Sequence, residues 1–279
     1  MTPAQKQELD NRARIFRRHI LDMVGGKDGK IGHLGGSNSA ADIVAALYFY
    51  KMKVNPQNPK EDDRDRFLLS KGHAALVQYA ALAEMGFFPK EELLRVKSLG
   101  AMLQGHPDMT KTPGVEANTG SLGMGLSIGL GMALGMRMVQ NPRKVYVMLG
   151  DGELAEGQVW EAAQAAAHYK ADNLIAIVDH NKVQAMGLVS ERLGIGDPGA
   201  KFASFGWRVI QIDGHNMVEI CGALDAADGV AGKPVAIIAD TVKGKGVSFA
   251  EGNAAFHNAG LTPEQYKAAE NDVARYVCR

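Results

Sequence analysis

Two stretches decide the fold: VYVMLGDGELAEG, residues 145–157, and LIAIVDHN, residues 174–181. Each opens on an apolar run of the kind that a strand buried on both faces of a parallel sheet requires. The first run ends in Gly150-Asp151-Gly152 and the second in Asp179-His180-Asn181, with a helical pattern at 158–168 between them. A strand–helix–strand unit brings both strand tips to one edge of the sheet, the edge where ligands of such folds bind. There Asp151, Asn181 and a backbone carbonyl near Val183 offer hard oxygen ligands, half a shell for Mg²⁺ or Ca²⁺ that phosphate oxygens and water complete. Gly152 is expected to keep its N–H free for an anion, and the start of the following helix points at the same place. Gly-Asp-Gly alone reads as a strand-to-helix turn. The second strand, with Asn181 at its tip, is what makes it a candidate site.

The same alternation extends outward in both directions. Further strands are expected at 66–70, 208–212 and 235–240, and helices at 40–50, 74–85, 122–139 and 218–227. Thr2-Pro3-Ala4-Gln5 and Thr262-Pro263-Glu264-Gln265 are helix-start signals, each an N-cap, a first-turn proline and a capping-box glutamine. They open a first helix to about 23 and a last one to about 276. The fold class is α/β, three layers with a mostly parallel sheet covered on both sides, and residues 1–279 read as one domain. Arg12, Arg14, Arg17 and Arg18 in the first helix read as a solvated face rather than a partner site.

Four stretches, 25–38, 99–120, 184–206 and 243–261, read as long, glycine-rich loops. Loops beyond about 12–15 residues in a compact domain are usually functional or disordered. Three of them carry one histidine each, His33, His106 and His257, and His73 sits between Gly72 and Ala74 just after the first strand. Four histidines in glycine-rich surroundings point to one shared site, because glycine admits close approach of backbone and ligand. His19, His168, His180 and His215 have no such context.

Composition removes several functions. Thirty-one basic and 31 acidic side chains leave no basic surplus for a nucleic-acid backbone. An apolar content of 46% with 22% charged residues is that of a folded chain. The only cysteines, Cys221 and Cys278, lack metal-ligand spacing and fit a reducing, cytoplasmic setting. Residues 120–136 carry no charge, but their glycines favour a packing helix over a membrane span. No Gly-x-Gly-x-x-Gly follows the first strand, which argues against a dinucleotide-binding dehydrogenase.

Gly150-Asp151-Gly152 followed by Asp179-His180-Asn181 resembles the diphosphate-and-metal motif of thiamine diphosphate enzymes. The wider resemblance is to transketolases, in their N-terminal, diphosphate-binding half. Gly32-His33, Ser70-Lys71-Gly72-His73, Gly105-His106-Pro107, Thr119-Gly120-Ser121-Leu122-Gly123 and Thr241-Val242-Lys243-Gly244-Lys245-Gly246 fall in the family's order over nearly the whole chain. The resemblance implies that Asp151, Asn181 and the Val183 carbonyl bind the cation, Mg²⁺ or else Ca²⁺ or Mn²⁺. It implies that His73, Gly152, Glu153, Lys243 and His257 lie at the thiamine diphosphate, and that Gly120, Ser121 and Leu122 line its two rings. His33, His106 and His257 would face the sugar, stabilising oxygen charge and moving protons. Glu156 would join an acidic network at a subunit contact, or else serve only as a first-turn carboxylate.

This sequence departs from the family at Ser121, often proline, at His180, often acidic, and at Phe256-His257, often tryptophan-histidine in the split forms. Full-length transketolases continue into a pyrimidine-binding and a further C-terminal domain. The resemblance therefore implies the alpha subunit of a split transketolase, working as a heterotetramer with a separate C-terminal subunit on sugar phosphates. Gly123, Ser127, Gly131 and Gly135 form a smooth helical stripe for self-association of these domains or for packing inside one of them. The competing readings are a deoxyxylulose-phosphate synthase-like or ketoacid dehydrogenase-like subunit, and a non-catalytic partner of the same fold.

Overall fold

The computed structural model describes residues 1–26 and 29–278. Lys27 and Asp28, inside the loop expected at 25–38, and Arg279 lie outside the described residues.

Five parallel strands form the central sheet: β1 (Arg66–Leu69), β2 (Val145–Gly150), β3 (Leu174–His180), β6 (Arg208–Asp213) and β7 (Val235–Asp240), in the order β1-β2-β3-β7-β6. β4 (Val183–Gln184) and β5 (Gly187–Leu188) make a small antiparallel hairpin beyond the tip of β3. Gly150 pairs with Asp179 in the β2–β3 register, so Asp151 and Asn181 leave the sheet side by side.

Alternate strand residues serve two cores. Phe67, Leu69, Tyr146, Met148, Ile175 and Ile177 pack under α1 (Pro3–Gly25), α2 (Leu34–Ala46), α3 (Ala75–Met85) and α8 (Met217–Asp228). Val145, Val147, Leu149, Leu174, Ala176 and Val178 pack under α4 (Gly125–Met138), α5 (Gly157–His168) and α7 (Pro198–Ser204). The period of two in the strands thus produces three layers. Both capping boxes form: Thr2 and Thr262 each accept the N–H three residues on, at 3.2 Å, and Gln5 and Gln265 reach back. They open α1 and α9 (Pro263–Ala274).

Several expectations are corrected. The strand expected at 208–212 is an edge strand with no buried residue, because β7 covers only one of its sides. α2 starts at Leu34, inside the expected loop, since its small residues fit a crowded space: a Cβ on Gly35 would lie 3.0 Å from the Lys243 side chain. The stretch 184–206 is not aperiodic. It holds β5, α6 (Val189–Leu193) and α7, the last capped by Asp197, which accepts the Gly199 N–H at 2.7 Å. The helix expected from 122 begins at Gly125, because Gly123 has a φ of +85°, outside the helical region.

Arg17 is fully buried rather than solvated, because Asp42 of α2 pairs with it. The expected stripe divides as well: Gly123 lies before α4, against Glu156, Ser127 accepts from Gln158 at 2.7 Å, and Gly131 and Gly135 are exposed with nothing near them. Gly125 and Gly129, outside that stripe, pack inward against Ser70 and Val147. Among the described residues no helix is long and apolar enough to cross a membrane.

Candidate active site

The tips of β1, β2, β3 and β7 surround a cavity of about 280 Å³. Asp151, Asn181 and the residue just beyond Asn181's loop, Val183, all line it. Asp151 accepts the Gly152 N–H at 2.8 Å and also the Lys182 N–H. The Gly152 N–H is therefore not free for an anion, contrary to expectation. Burial, then the charge of Asp179, raises the Asp151 pKa. Asn181 Oδ1 accepts the Val183 N–H at 3.1 Å, and its Nδ2 donates to Asp179 at 3.1 Å. The Val183 carbonyl accepts from the Lys243 ammonium at 2.7 Å. Among the described residues no three His, Cys, Asp or Glu side chains are grouped for a metal. The oxygens here are one carboxylate, one carboxamide and one peptide carbonyl. That hard, incomplete set suits a cation that keeps phosphate oxygens and water.

Under the cavity lies a buried ion pair between Lys71 and Asp179. Ser39 donates to Asp179 at 2.6 Å, Thr241 donates to its other oxygen, and Lys71 also donates to the Gly36 carbonyl at 2.8 Å. Burial would raise the Asp179 pKa, and Lys71 outweighs it and holds the group ionised. Burial, with Lys71 nearby, pushes Lys243 down to about 8.

The four histidines expected to share a site do so. His33 lies with ring centroids 5.2 Å from His73, 5.3 Å from His257 and 6.1 Å from His106, and His73 stacks on His257 at 5.1 Å. Burial lowers the pKa of all four, helped by Lys97 at His33 and His106, and by Lys71 and Lys243 at His73 and His257. His33 falls to about 4 and His257 to about 3. At neutral pH each is an uncharged imidazole with one donor and one acceptor nitrogen. Lys243 approaches His257 Nδ1 at 2.9 Å. With the ammonium donating, His257 carries its proton on Nε2.

Gly120 has a φ of +145°, and a Cβ there would sit 2.8 Å from the His106 ring. Only glycine lets this backbone, which lines the cavity, come so close to that imidazole. His33 Nδ1 and Thr119 Oγ1, which flank this region, are buried without a partner among the described residues. Such atoms cost about 1–3 kcal/mol each until a ligand satisfies them. Orphaned polar atoms, a glycine-cleared wall and hard oxygens together fit a diphosphate-bearing cofactor with a cation.

Glu153 lines the cavity, but its carboxylate is engaged by the chain itself: Ser70, the Gly123 N–H at 2.8 Å and the Gly150 N–H at 3.1 Å. Leu122 lines the cavity and Ser121 is exposed beside it. Glu156 is the exposed N-cap of α5, pressed against Gly123, and makes no capping bond. Sequence reasoning assigned no role to Lys71, Asp179 or Thr241, although all three stand in the motifs around the strand tips. The available signal was a charged residue at the end of an otherwise apolar strand. It also passed over His215, Gln184 and Ala185; the last two line the cavity from the β4–β5 hairpin.

Comparisons with known proteins agree with this geometry. Residues 10–274 match the family model for the transketolase thiamine diphosphate binding domain. The chain is 46% identical to the 6-deoxy-6-sulfo-D-fructose transketolase subunit SqwG of Clostridium sp. strain MSTE9, over 97% of this chain and 98% of the relative. It is 39% identical to an apulose-4-phosphate transketolase subunit of Phocaeicola vulgatus, over 98% of this chain and 96% of the relative. Among solved structures, the transketolase of Leishmania mexicana superposes with a TM-score of 0.91 at 31% identity, covering 96% of this chain and 41% of that one. The chain thus spans nearly all of the subunit-type relatives and less than half of that transketolase. By sequence and by fold, the chain belongs to the transketolase family, as a thiamine diphosphate-binding domain.

Proposed function

We propose that this chain, acting throughout residues 1–279 as one diphosphate-type domain, is the alpha subunit of a two-chain transketolase. The observation that carries this reading is a cluster of four uncharged histidines, two of which, His73 and His257, line the cavity together with Asp151, Asn181 and Val183. With a separate subunit supplying the pyrimidine-binding domain, it moves a two-carbon ketol unit from a ketose to an aldose. The near-complete overlap with relatives named as transketolase subunits supports a partner chain.

Asp151, Asn181 and the Val183 carbonyl would hold Mg²⁺, or Ca²⁺ or Mn²⁺ in its place. Lys243, His73 and His257 would meet the diphosphate, with Gly152 leaving room for it. Gly120, Ser121 and Leu122 would border the rings, with Glu153 bracing that wall from behind. Bound thiamine diphosphate supplies the nucleophilic carbon that breaks and remakes the bond beside a ketose carbonyl. His33, His106 and the Nε2–H of His257 donate to the sugar oxygens, where charge develops. A neutral imidazole with a bare nitrogen also accepts the proton of the neighbouring hydroxyl. Burial of this kind excludes water and strengthens each of these contacts.

The two subunit relatives carry a sulfonate or a phosphate in the sugars of their names. We therefore place the donor among ketoses with an anionic end group, including pentose and heptulose phosphates, and Lys97 beside His33 and His106 suits that charge. Glu156 and the exposed Gly131 and Gly135 would face neighbouring subunits in a heterotetramer. The buried free thiols of Cys221 and Cys278 support a cytoplasmic setting.

The test is reconstitution. The chain and its partner subunit, separately and together, are assayed on a panel of anionic ketoses and on pyruvate. Ketol transfer by the pair alone supports the reading. Pyruvate turnover without ketol transfer overturns it.

A further inference from the structure

Arg17, Asp42 and His215 form a buried cluster behind the cavity, with 0%, 0% and 3% of their surfaces exposed. Asp42 takes both ends of the Arg17 guanidinium, at 2.8 and 2.7 Å, and the Tyr276 hydroxyl at 2.9 Å. His215 Nδ1 lies 2.7 Å from the same carboxylate. The other ring nitrogen, Nε2, accepts the N–H of Val242 at 2.9 Å. A backbone N–H can only donate, so Nε2 is bare and the proton sits on Nδ1, facing Asp42. Arg17 in turn spends its Nε on the Lys245 carbonyl, at 2.9 Å. The two backbone groups held this way, Val242 N–H and Lys245 C=O, bracket Lys243.

No helix or strand constrains that segment. Beside the bracket, Gly244 N–H donates to the Gly35 carbonyl at 2.9 Å, Gly252 N–H to the Lys243 carbonyl at 2.9 Å and Lys245 N–H to the Val242 carbonyl at 3.1 Å. Yet the Lys243 ammonium reaches both the Val183 carbonyl and His257. A long, flexible side chain holds such an aim only if its backbone is fixed.

We infer that Asp42 and His215 are positioning residues: through Arg17 and the His215 ring, Asp42 clamps the peptide on both sides of Lys243 and so aims its ammonium into the cavity. The inference rests on the proposed reading only in taking Lys243 to meet the diphosphate. A carboxylate that fixes one tautomer of a histidine is a known way to orient a functional group. Here the oriented group is a backbone amide.

The experiment compares the full chain with His215→Ala and His215→Gln, the latter keeping an acceptor oxygen near the Nε2 position. Three quantities are read: hydrogen exchange in the peptide spanning 241–247, acylation of Lys243 followed by mass spectrometry, and Mg²⁺-dependent thiamine diphosphate uptake. His215→Ala should speed exchange at 241–247 and acylation of Lys243 by about tenfold, the cost of one hydrogen bond. Exchange in β2 and β3 should not change, and His215→Gln should recover most of the loss. Exchange that rises equally across the whole sheet, or not at all at 241–247, would overturn the inference and leave the cluster a purely structural one. Tyr276→Phe removes one donor from Asp42 and carries the same test in milder form if His215→Ala does not fold. Failure of the wild-type chain to take up cofactor would count against the proposed function, while exchange and acylation would still judge the clamp.

Discussion

His73 and His257 stack with ring centroids 5.1 Å apart and planes inclined by 29°, although one follows the first strand and the other lies near the end of the chain. Two imidazoles this close cannot both carry charge cheaply, and Lys71 and Lys243 add to the penalty. The site is built to keep its histidines neutral.

That design sets an acid limit. In the unfolded chain these histidines take up protons near 6.5, whereas in the folded chain His33 does so only near 4 and His257 only near 3. The unfolded state therefore binds more protons between those values, and stability falls as pH drops from about 6.5 towards 4. Urea unfolding from pH 7.5 to 4.5 measures this. His257→Asn should flatten part of the slope, and an unchanged slope would mean that the ring is not held neutral.

The Lys71–Asp179 pair makes a second prediction. Lys71→Met keeps the bulk of the stem but leaves Asp179 charged and without its counter-ion among the described residues. Losing one partner of a buried pair costs about 3–5 kcal/mol. A shift of the urea midpoint worth less than about 1 kcal/mol would show that Ser39, Asn181 and Thr241 suffice for Asp179.

Two glycines of α4 should behave in opposite ways. A Cβ on Gly129 would come within 2.4 Å of Val147, so Gly129→Ala should cost about 1–3 kcal/mol through overpacking. Gly131 faces open space, and Gly131→Ala should stabilise the isolated chain by up to about 1 kcal/mol through helix propensity. If that surface meets another subunit, Gly131→Ala should also weaken assembly, read by sedimentation. Equal effects of the two substitutions on unfolding would contradict the assignment of faces.

His106 and Asp151 separate chemistry from binding. His106→Ala in the reconstituted enzyme should slow turnover by about 10²–10⁴-fold, the range for an acid–base group, and leave cofactor affinity near wild type. Asp151→Ala should abolish Mg²⁺-dependent cofactor uptake by calorimetry. A large affinity loss in the first, or tight uptake by the second, would reverse those assignments.

What was legible in the sequence was what local pattern encodes. Apolar runs marked the strands, and Thr2 and Thr262 marked the helix starts. Glycine context grouped His33, His73, His106 and His257. What escaped depends on partners distant in sequence. Nothing near Arg17 announces Asp42, so a buried cation read as a solvated one. Leu34 to Asn38 looks like loop, because glycine and serine are poor helix formers in isolation; in the fold Lys243, Phe256 and His73 crowd Gly35 and Gly36, neighbours that the local sequence does not announce. His215 lies outside the glycine-rich loops, and its significance emerges only from the Val242 amide on the adjacent strand's exit. The expectation of a free Gly152 N–H failed for a local reason: Asp151, one residue earlier, is itself an acceptor within reach.

The sharpest check on the cation site is a crystal structure of the chain, with its partner, grown with thiamine diphosphate and Mg²⁺. We expect one ion about 2.0–2.1 Å from an Asp151 carboxylate oxygen, Asn181 Oδ1 and the Val183 carbonyl, touching the diphosphate on its open side. An ion bound elsewhere, or a cofactor seated without contact to this trio, would refute the proposed site.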